Sequence, residues 1–194
     1  MMNKRFLTII LLLSVITCTF QMTAQERKTS VALSTDLVDW AYLGTANLEA
    51  GVSVHRHFSL QAGAKFNPWS FKTRKSGLDL YNKQTTAYAG FRYWPWYVYS
   101  GWWVGAQAQY TGYSETGVWR HALDTGKAIG AGLSFGYTLM LSENFNLEFG
   151  AGVWGGRRFQ HTLYCCPDCM KVRQSGPENF VALNDISVSV MYVF

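Results

Sequence analysis

Three cysteines near the end of the chain are the residues whose types and spacing most readily suggest chemistry. Cys165, Cys166 and Cys169 lie within one short stretch, YCCPDCMK. A Cys-x-x-Cys pair such as Cys166 and Cys169 occurs in redox motifs, in half of a zinc site and in small disulfide loops. His161 could complete a zinc site with the three thiols. Because an exported segment meets an oxidising environment, we favour a disulfide, which leaves one thiol over for another chain.

Four ionisable residues form the second candidate site. Glu49, Lys65, Arg92 and Glu148 each occupy the inward face of a different predicted strand. Single charges buried in a narrow lumen are costly, so we expect them to pair across the interior as a salt-bridged plug. The alternative is a narrow, gated pore or a proton path. Eight strands leave little room for water, which favours the plug.

The four histidines are the candidate bases for a hydrolytic site. His55 and His57 fall in a predicted turn on the periplasmic side, whereas His121 and His161 fall in predicted loops. Their spacing does not establish a triad with serine and a carboxylate. We therefore predict a protein that is not an enzyme and that holds no cofactor or metal, with a lipid-modifying acyltransferase or deacylase as the alternative.

The elements that must position these residues are strands. Ile129, Leu133 and Phe135 share one parity with other apolar residues, while Gly132 and Ser134 share the opposite one. A helix would not keep this period of two. The same alternation recurs along the chain and predicts eight strands, near 30–38, 46–55, 58–69, 84–94, 100–113, 127–140, 145–157 and 181–194.

The composition of the two faces indicates which one is turned to lipid. The less apolar parity consists mostly of Gly, Ser, Thr, Asn and Gln, which suit a crowded lumen better than a water-facing exterior. The predicted connections also alternate between short turns and long loops at 70–83, 114–126 and 159–180. We therefore predict an all-β, eight-stranded, antiparallel, up-and-down transmembrane β-barrel with both termini in the periplasm.

The two ends of the chain indicate export to the outer membrane. Residues 1–25 combine Lys4 and Arg5 with a short apolar run, as a cleaved signal peptide does, which leaves residues 26–194 as the barrel domain. Lipidation at Cys18 is the alternative. The last strand ends with Tyr192 and Phe194 on its apolar parity, which resembles the closing strand of bacterial outer-membrane barrels. That resemblance implies a C-terminal insertion signal recognised by the barrel-assembly machinery.

Charge and aromatic content restrict the partners. The chain has 17 basic and 12 acidic residues, and the basic residues are scattered. Nucleic-acid binding would require them to cluster on one face, so we predict no nucleic-acid partner. An aromatic share of 16% together with 18 glycines suits a narrow barrel that contacts outer-membrane lipid through aromatic girdles.

Several motifs together resemble a known family. They include Asn67-Pro-Trp, Phe91-Arg-Tyr-Trp, the glycine-rich strand from Gly130 and the Cys166-Pro-Asp-Cys169 segment. These are similar to a domain-of-unknown-function family of small outer-membrane β-barrel proteins from Bacteroidota. Members are often encoded beside fimbrillin-type and peptidoglycan-binding outer-membrane proteins. The resemblance implies a structural role in assembling or anchoring surface fimbriae, with such proteins as partners. Cys165 is an addition to the family's plain Cys-x-x-Cys.

Overall fold

The computed structural model describes residues 29–42, 44–72, 79–117, 120–165 and 172–194. The predicted signal peptide, Cys18, Cys166 and Cys169 lie outside these ranges. The elements in chain order are β1 (Val31–Asp36), α1 (Leu37–Ala41), β2 (Ala46–His55), β3 (Phe58–Asn67), β4 (Ser70–Lys72), β5 (Asp79–Tyr93), β6 (Gly101–Gly117), β7 (Arg120–Met140), β8 (Phe145–Tyr164), β9 (Val172–Ser175) and β10 (Glu178–Val193).

Eight of these strands form a closed barrel. Each pairs antiparallel with its neighbour in the order β1, β2, β3, β5, β6, β7, β8, β10, and β10 returns to pair with β1. The short strands β4 and β9 extend the ladders of β5 and β8. This arrangement confirms the predicted all-β, eight-stranded, up-and-down antiparallel fold. Closure gives each of these eight strands a hydrogen-bonded neighbour on both sides, although β1 pairs with β10 only from Ala32 to Asp36.

Side chains reinforce the seam where the short strand β1 ends. The Asp36 carboxylate accepts a hydrogen bond from the Val188 backbone N–H of β10 at 3.1 Å. On the other side, the Asn47 side chain of β2 accepts from the Asp36 N–H at 2.6 Å and donates to the Asp36 carbonyl at 2.9 Å. Asp36 and Asn47 therefore hold the end of β1 to both of its neighbours.

The helix α1 corrects the prediction that the first strand continues to Val38. Asp36 caps this helix, because its carboxylate accepts from the Val38 N–H at 2.9 Å. The cap turns the chain out of the sheet after only six residues of strand. No helix in the described ranges combines the length and the apolar character needed to cross a membrane.

The second correction concerns the long loops predicted at 70–83, 114–126 and 159–180. Much of their described length continues the strands, since β6 extends to Gly117, β7 begins at Arg120 and β8 extends to Tyr164. Along these upper parts the alternation of apolar and polar residues fades, so periodicity underestimates the strands. The barrel wall is consequently taller at β5 to β8 than at β1 to β3.

The interior is polar and the exterior is apolar. Buried side chains include Ser59, Gln61, Thr86, Gln109 and Thr111, all on inward positions. The apolar core is one small cluster of Ala32, Trp94, Tyr99, Trp103 and Met191 at the end where the termini lie. Large apolar side chains such as Leu133 and Phe135 instead point outward and are exposed.

Candidate functional site: the lumen charge cluster

Arg92 lies at the centre of the lumen cluster. It projects from β5, is 7% exposed, and forms ion pairs with carboxylates on two other strands. Its Nη2 lies 3.0 Å from Glu49 Oε1 on β2, and its Nη1 lies 3.1 Å from Glu148 Oε1 on β8. A single guanidinium therefore joins two strands on opposite sides of β5 across the interior.

Hydroxyl groups satisfy the remaining oxygen atoms of these carboxylates. Tyr88 donates to Glu49 Oε2 at 3.0 Å, and Thr138 donates to Glu148 Oε2 at 3.1 Å. Hydrogen bonds of this kind compensate for the desolvation of ions in a narrow interior. The cluster is therefore a connected network rather than two separate salt bridges.

Trp103 forms the apolar floor of the cluster. The Arg92 guanidinium stacks on its ring at 4.2 Å, and the ring itself is buried. Gly136 and Gly150 face the same ring, and a Cβ at Gly136 would lie 2.5 Å from Trp103 Cζ2. Glycine at these inward positions makes room for the indole in a narrow lumen. Sequence reasoning missed Trp103, although its place on the Gly and Gln parity of β6 was a usable signal.

Aromatic residues close the lumen below Trp103. Trp94 is fully buried and donates from Nε1 to Ser59 Oγ at 2.9 Å. Tyr99 packs edge-on against Trp94, with ring centroids 5.8 Å apart. Burial raises the pKa of the Tyr99 phenol well above its usual range, while Arg92 opposes the shift and Glu49 adds to it. This end is therefore closed by side chains that carry no charge at neutral pH.

Little free space remains around the charges. The cavity lined by Glu49, Arg92, Trp103 and Glu148 measures about 60 Å³, which is room for a few water molecules. A continuous water column requires a much larger opening. The filled lumen therefore supports a plug and argues against the alternative of a narrow pore.

Lys65 does not join the Arg92 network, although it also faces the lumen. Its Nζ lies 2.8 Å from Asp39 Oδ2, and Asp39 belongs to the helix α1. Lys65 therefore ties the helix to β3, and its side chain lines the same cavity as Glu49 and Arg92. Asp39 was missed because a helix of five residues is too short to produce a recognisable helical period.

A second cluster, also missed by sequence reasoning, lies at the upper end of the barrel. His161 is buried on β8, with Nε2 3.1 Å from Asp124 and Nδ1 3.7 Å from Glu178. Arg158 lies 3.8 Å from Asp124 and 3.9 Å from Glu178. His161 was predicted to lie in a loop, and the continuation of β8 places it inside instead.

The contacts of this upper cluster are not those of a catalytic triad. Among the described residues, no serine hydroxyl or cysteine thiol hydrogen-bonds His161, and a catalytic triad requires such a contact. His55 ends β2 and His57 lies in the following turn, where its Nδ1 contacts the Trp94 carbonyl at 2.9 Å. His121 belongs to β7, but its side chain lies outside the described part of the structure.

The cysteine segment is described only in part. Cys165 follows β8 and is an exposed free thiol, while Cys166 and Cys169 fall outside the described ranges. Within those ranges, no group of three or more His, Cys, Asp and Glu side chains is arranged to hold a metal ion. The disulfide and zinc alternatives therefore both stay predictions.

The two C-terminal aromatic residues lie on the outer surface at the seam. Phe194 is 67% exposed, and its ring packs edge-on against Tyr192 with centroids 4.7 Å apart. Its backbone N–H donates to the Val31 carbonyl at 2.8 Å. Phe194 therefore adds a last hydrogen bond between the end of the chain and β1.

Comparison with known protein families gives a match. A family model described as "Protein of unknown function (DUF3575)" matches residues 8–194, which is nearly the whole chain. No curated protein matches it.

Proposed function

The chain belongs to this family of proteins of unknown function, DUF3575, and we propose that it is a non-enzymatic outer-membrane β-barrel that supports the assembly or anchoring of surface fimbriae. A cleaved signal peptide over residues 1–25 brings it across the inner membrane. Its upper strands and connections face outward and present the surface to which fimbrial or peptidoglycan-binding outer-membrane proteins attach.

The observation that carries the membrane assignment is the apolar exterior. Large apolar side chains are exposed on all eight barrel strands, with Leu133 at 66% and Phe135 at 58%. Soluble monomers rarely expose continuous apolar patches beyond a few hundred Å². An apolar exterior around a polar, ion-paired interior is typical of a barrel embedded in a lipid bilayer.

Aromatic side chains at the two ends of the barrel support the same assignment. Trp102, Tyr137, Phe145 and Tyr192 form ring pairs near the termini, with centroids 5.1 Å apart in the first pair and 5.0 Å apart in the second. At the upper end, Trp40, Tyr42, Phe66, Trp69, Tyr110 and Phe159 are exposed. The outward-facing residues of β6 from Trp102 to Tyr110 span about 27 Å along the strand. At a strand tilt of about 40°, this length corresponds to about 20 Å across the membrane. This height approaches that of the apolar band, about 25 Å, on the outer surface of transmembrane barrels.

The role at the cell surface is supported by the unequal height of the wall. Strands β5 to β8 continue beyond the apolar exterior into polar sequence, whereas β1 to β3 stop near it. The taller side provides a rigid surface for a protein partner, built on strands rather than on flexible loops. The filled lumen supports a structural role over conduction.

The proposal is tested first by the behaviour of the purified chain. We expect it to require detergent, to show a strand-dominated circular dichroism spectrum, and to migrate faster on a gel when unheated than when boiled. A mature chain that is soluble without detergent would contradict the membrane assignment. In the bacterium, a deletion strain should lose surface fibres, whereas altered lipid acylation with intact fibres would favour a lipid-modifying enzyme.

Deleting Phe194 is expected to lower the amount of protein in the outer membrane and to leave chains in the periplasm. The deletion removes the exposed ring beside Tyr192 and the hydrogen bond to Val31. Quantitative blotting of membrane and periplasmic fractions measures the effect. Phe58→Ala is the matched control, because Phe58 is another exposed aromatic residue at this end of the barrel but is not terminal. Equal membrane levels for the deletion and the control would remove the role assigned to Phe194.

A further inference from the structure

Three basic side chains lie on the outside of the barrel at its upper end. Lys83 on β5, Lys127 on β7 and Arg157 on β8 are all exposed. Their sequence neighbours Gln84, Ala128 and Arg158 take the inward positions, so strand alternation turns these three cations outward. Arg157 is the register partner of Ile129, and Lys127 lies two residues above Ile129 on the same strand. The cations therefore stand at the upper edge of the apolar exterior.

These cations have no acidic partner among the described residues. The nearby carboxylates of Asp124 and Glu178 pair instead with Arg158 and His161. Among the side chains that the structure describes, no carboxylate forms an ion pair with Lys83, Lys127 or Arg157. This part of the exterior therefore carries uncompensated positive charge.

Aromatic side chains accompany the lysines. Lys83 and Lys127 line one groove together with Phe66, Tyr110 and Phe159. Tyr110 and Phe159 lie on either side of β7, with ring centroids 6.3 Å apart. We call this surface the basic groove. Hydroxyl and amide groups from Ser114, Thr125 and Gln160 also line it and can donate hydrogen bonds to an anion.

A second, apolar groove lies below the basic groove on the same outer face. Its floor is formed by Ala89 on β5, Ala108 on β6 and Ala131 on β7, which are successive register partners. Phe91 and Leu133 line the same groove beside these alanines. A chain of methylene groups could lie against this floor while its polar end reaches the lysines.

We propose that the basic groove binds the phosphate-bearing headgroup of an anionic outer-leaflet lipid, whose acyl chain follows the groove over Ala89, Ala108 and Ala131. Charge complementarity selects an anion, and the apolar floor below selects one that carries an alkyl chain. The proposal rests on the membrane assignment made above, since it requires this face to meet lipid. The bound lipid fixes the depth of the barrel in the membrane and neutralises the cations at its rim.

The test titrates lipid onto the intact mature barrel in neutral detergent, with native mass spectrometry as the readout. The probes are dimyristoylphosphatidylglycerol, which is anionic, and dimyristoylphosphatidylcholine, which has no net charge. We expect preferential retention of the anionic lipid. Lys83→Gln and Lys127→Gln should each weaken its binding roughly fivefold, as expected for losing one cation at an anionic surface. Arg173→Gln should leave binding unchanged, because Arg173 is exposed on β9 and does not line the groove.

Equal retention of the two lipids, or equal binding by the lysine variants and the wild type, would overturn the proposal. Displacement of the anionic lipid by millimolar inorganic phosphate would also overturn it, because the groove would then take a free anion. Each sample is checked for the heat-dependent gel shift. A normal shift without lipid preference rejects the lipid site alone, whereas a chain that never forms a detergent-dependent barrel rejects the membrane assignment as well.

Discussion

Replacing Arg92 with Ala is expected to lower the free energy of unfolding by about 3 to 5 kcal/mol. The substitution leaves Glu49 and Glu148 without the guanidinium that bridges them at 3.0 and 3.1 Å. It also removes the cation stacked on Trp103. Urea unfolding in detergent, followed by tryptophan fluorescence, measures the loss. The variant should fold in lower yield and unfold at a clearly lower urea concentration.

Two further variants separate the network from a general effect of charge. Arg173→Ala removes an exposed cation from β9 and should leave the unfolding midpoint nearly unchanged. Arg92→Ala combined with Glu148→Gln should regain part of the lost stability, because it removes one of the uncompensated charges. Equal midpoints for Arg92→Ala and Arg173→Ala would mean that the network contributes nothing to stability.

Replacing Gly136 with Val is expected to cost at least about 3 kcal/mol, at the upper end of what overpacking causes. Its Cβ would lie 2.5 Å from the Trp103 ring and would overlap the Phe149 carbonyl. The ring cannot yield easily, because Arg92 is stacked against it. We expect most of the chain to fail to reach the compact, heat-modifiable form. The folded fraction on an unheated gel and the urea midpoint both measure this.

Gly112→Val is the matched control for this variant. Gly112 lies in β6, and a Cβ there would meet no atom within 4 Å. Valine is favoured in strands, so the control should fold as well as the wild type. If both glycine variants fold equally well, the close packing of Trp103 is not the reason that position 136 of β7 needs glycine.

The barrel strands and the inward position of Arg92 could be predicted because the two faces of each strand differ in chemistry. Over the apolar part of the wall, lipid-facing and lumen-facing residues alternate, and this period of two is visible in the sequence. Arg92 and Glu148 share the less apolar parity of their strands. Strand parity alone does not specify height in the barrel or the shear between strands, and these decide which carboxylate meets which cation.

Other features of the structure have no periodic pattern in the sequence that would predict them. The upper parts of β6 to β8 carry polar residues on both faces, such as Asp124 beside Thr125, so their sequence predicts loops. The pairing of Lys65 with Asp39 depends on α1, which is created by one capping carboxylate. Trp103 shares its parity of β6 with glycine and glutamine, so its size makes it an exception on that face. Its partners are glycines on strands that are distant in sequence.

The shortness of β1 has a consequence for the order in which the barrel closes. A closed sheet opens where the fewest ladder hydrogen bonds must break, and the six residues of β1 make it the strand with least hold on its neighbours. The Asp36 carboxylate and the Asn47 amide continue its ladder beyond the strand. Side-chain hydrogen bonds, rather than backbone ones, therefore hold the end of β1 to its two neighbours. We therefore expect the seam between β1 and β10 to be the last part of the barrel to close during insertion and the first to open on heating.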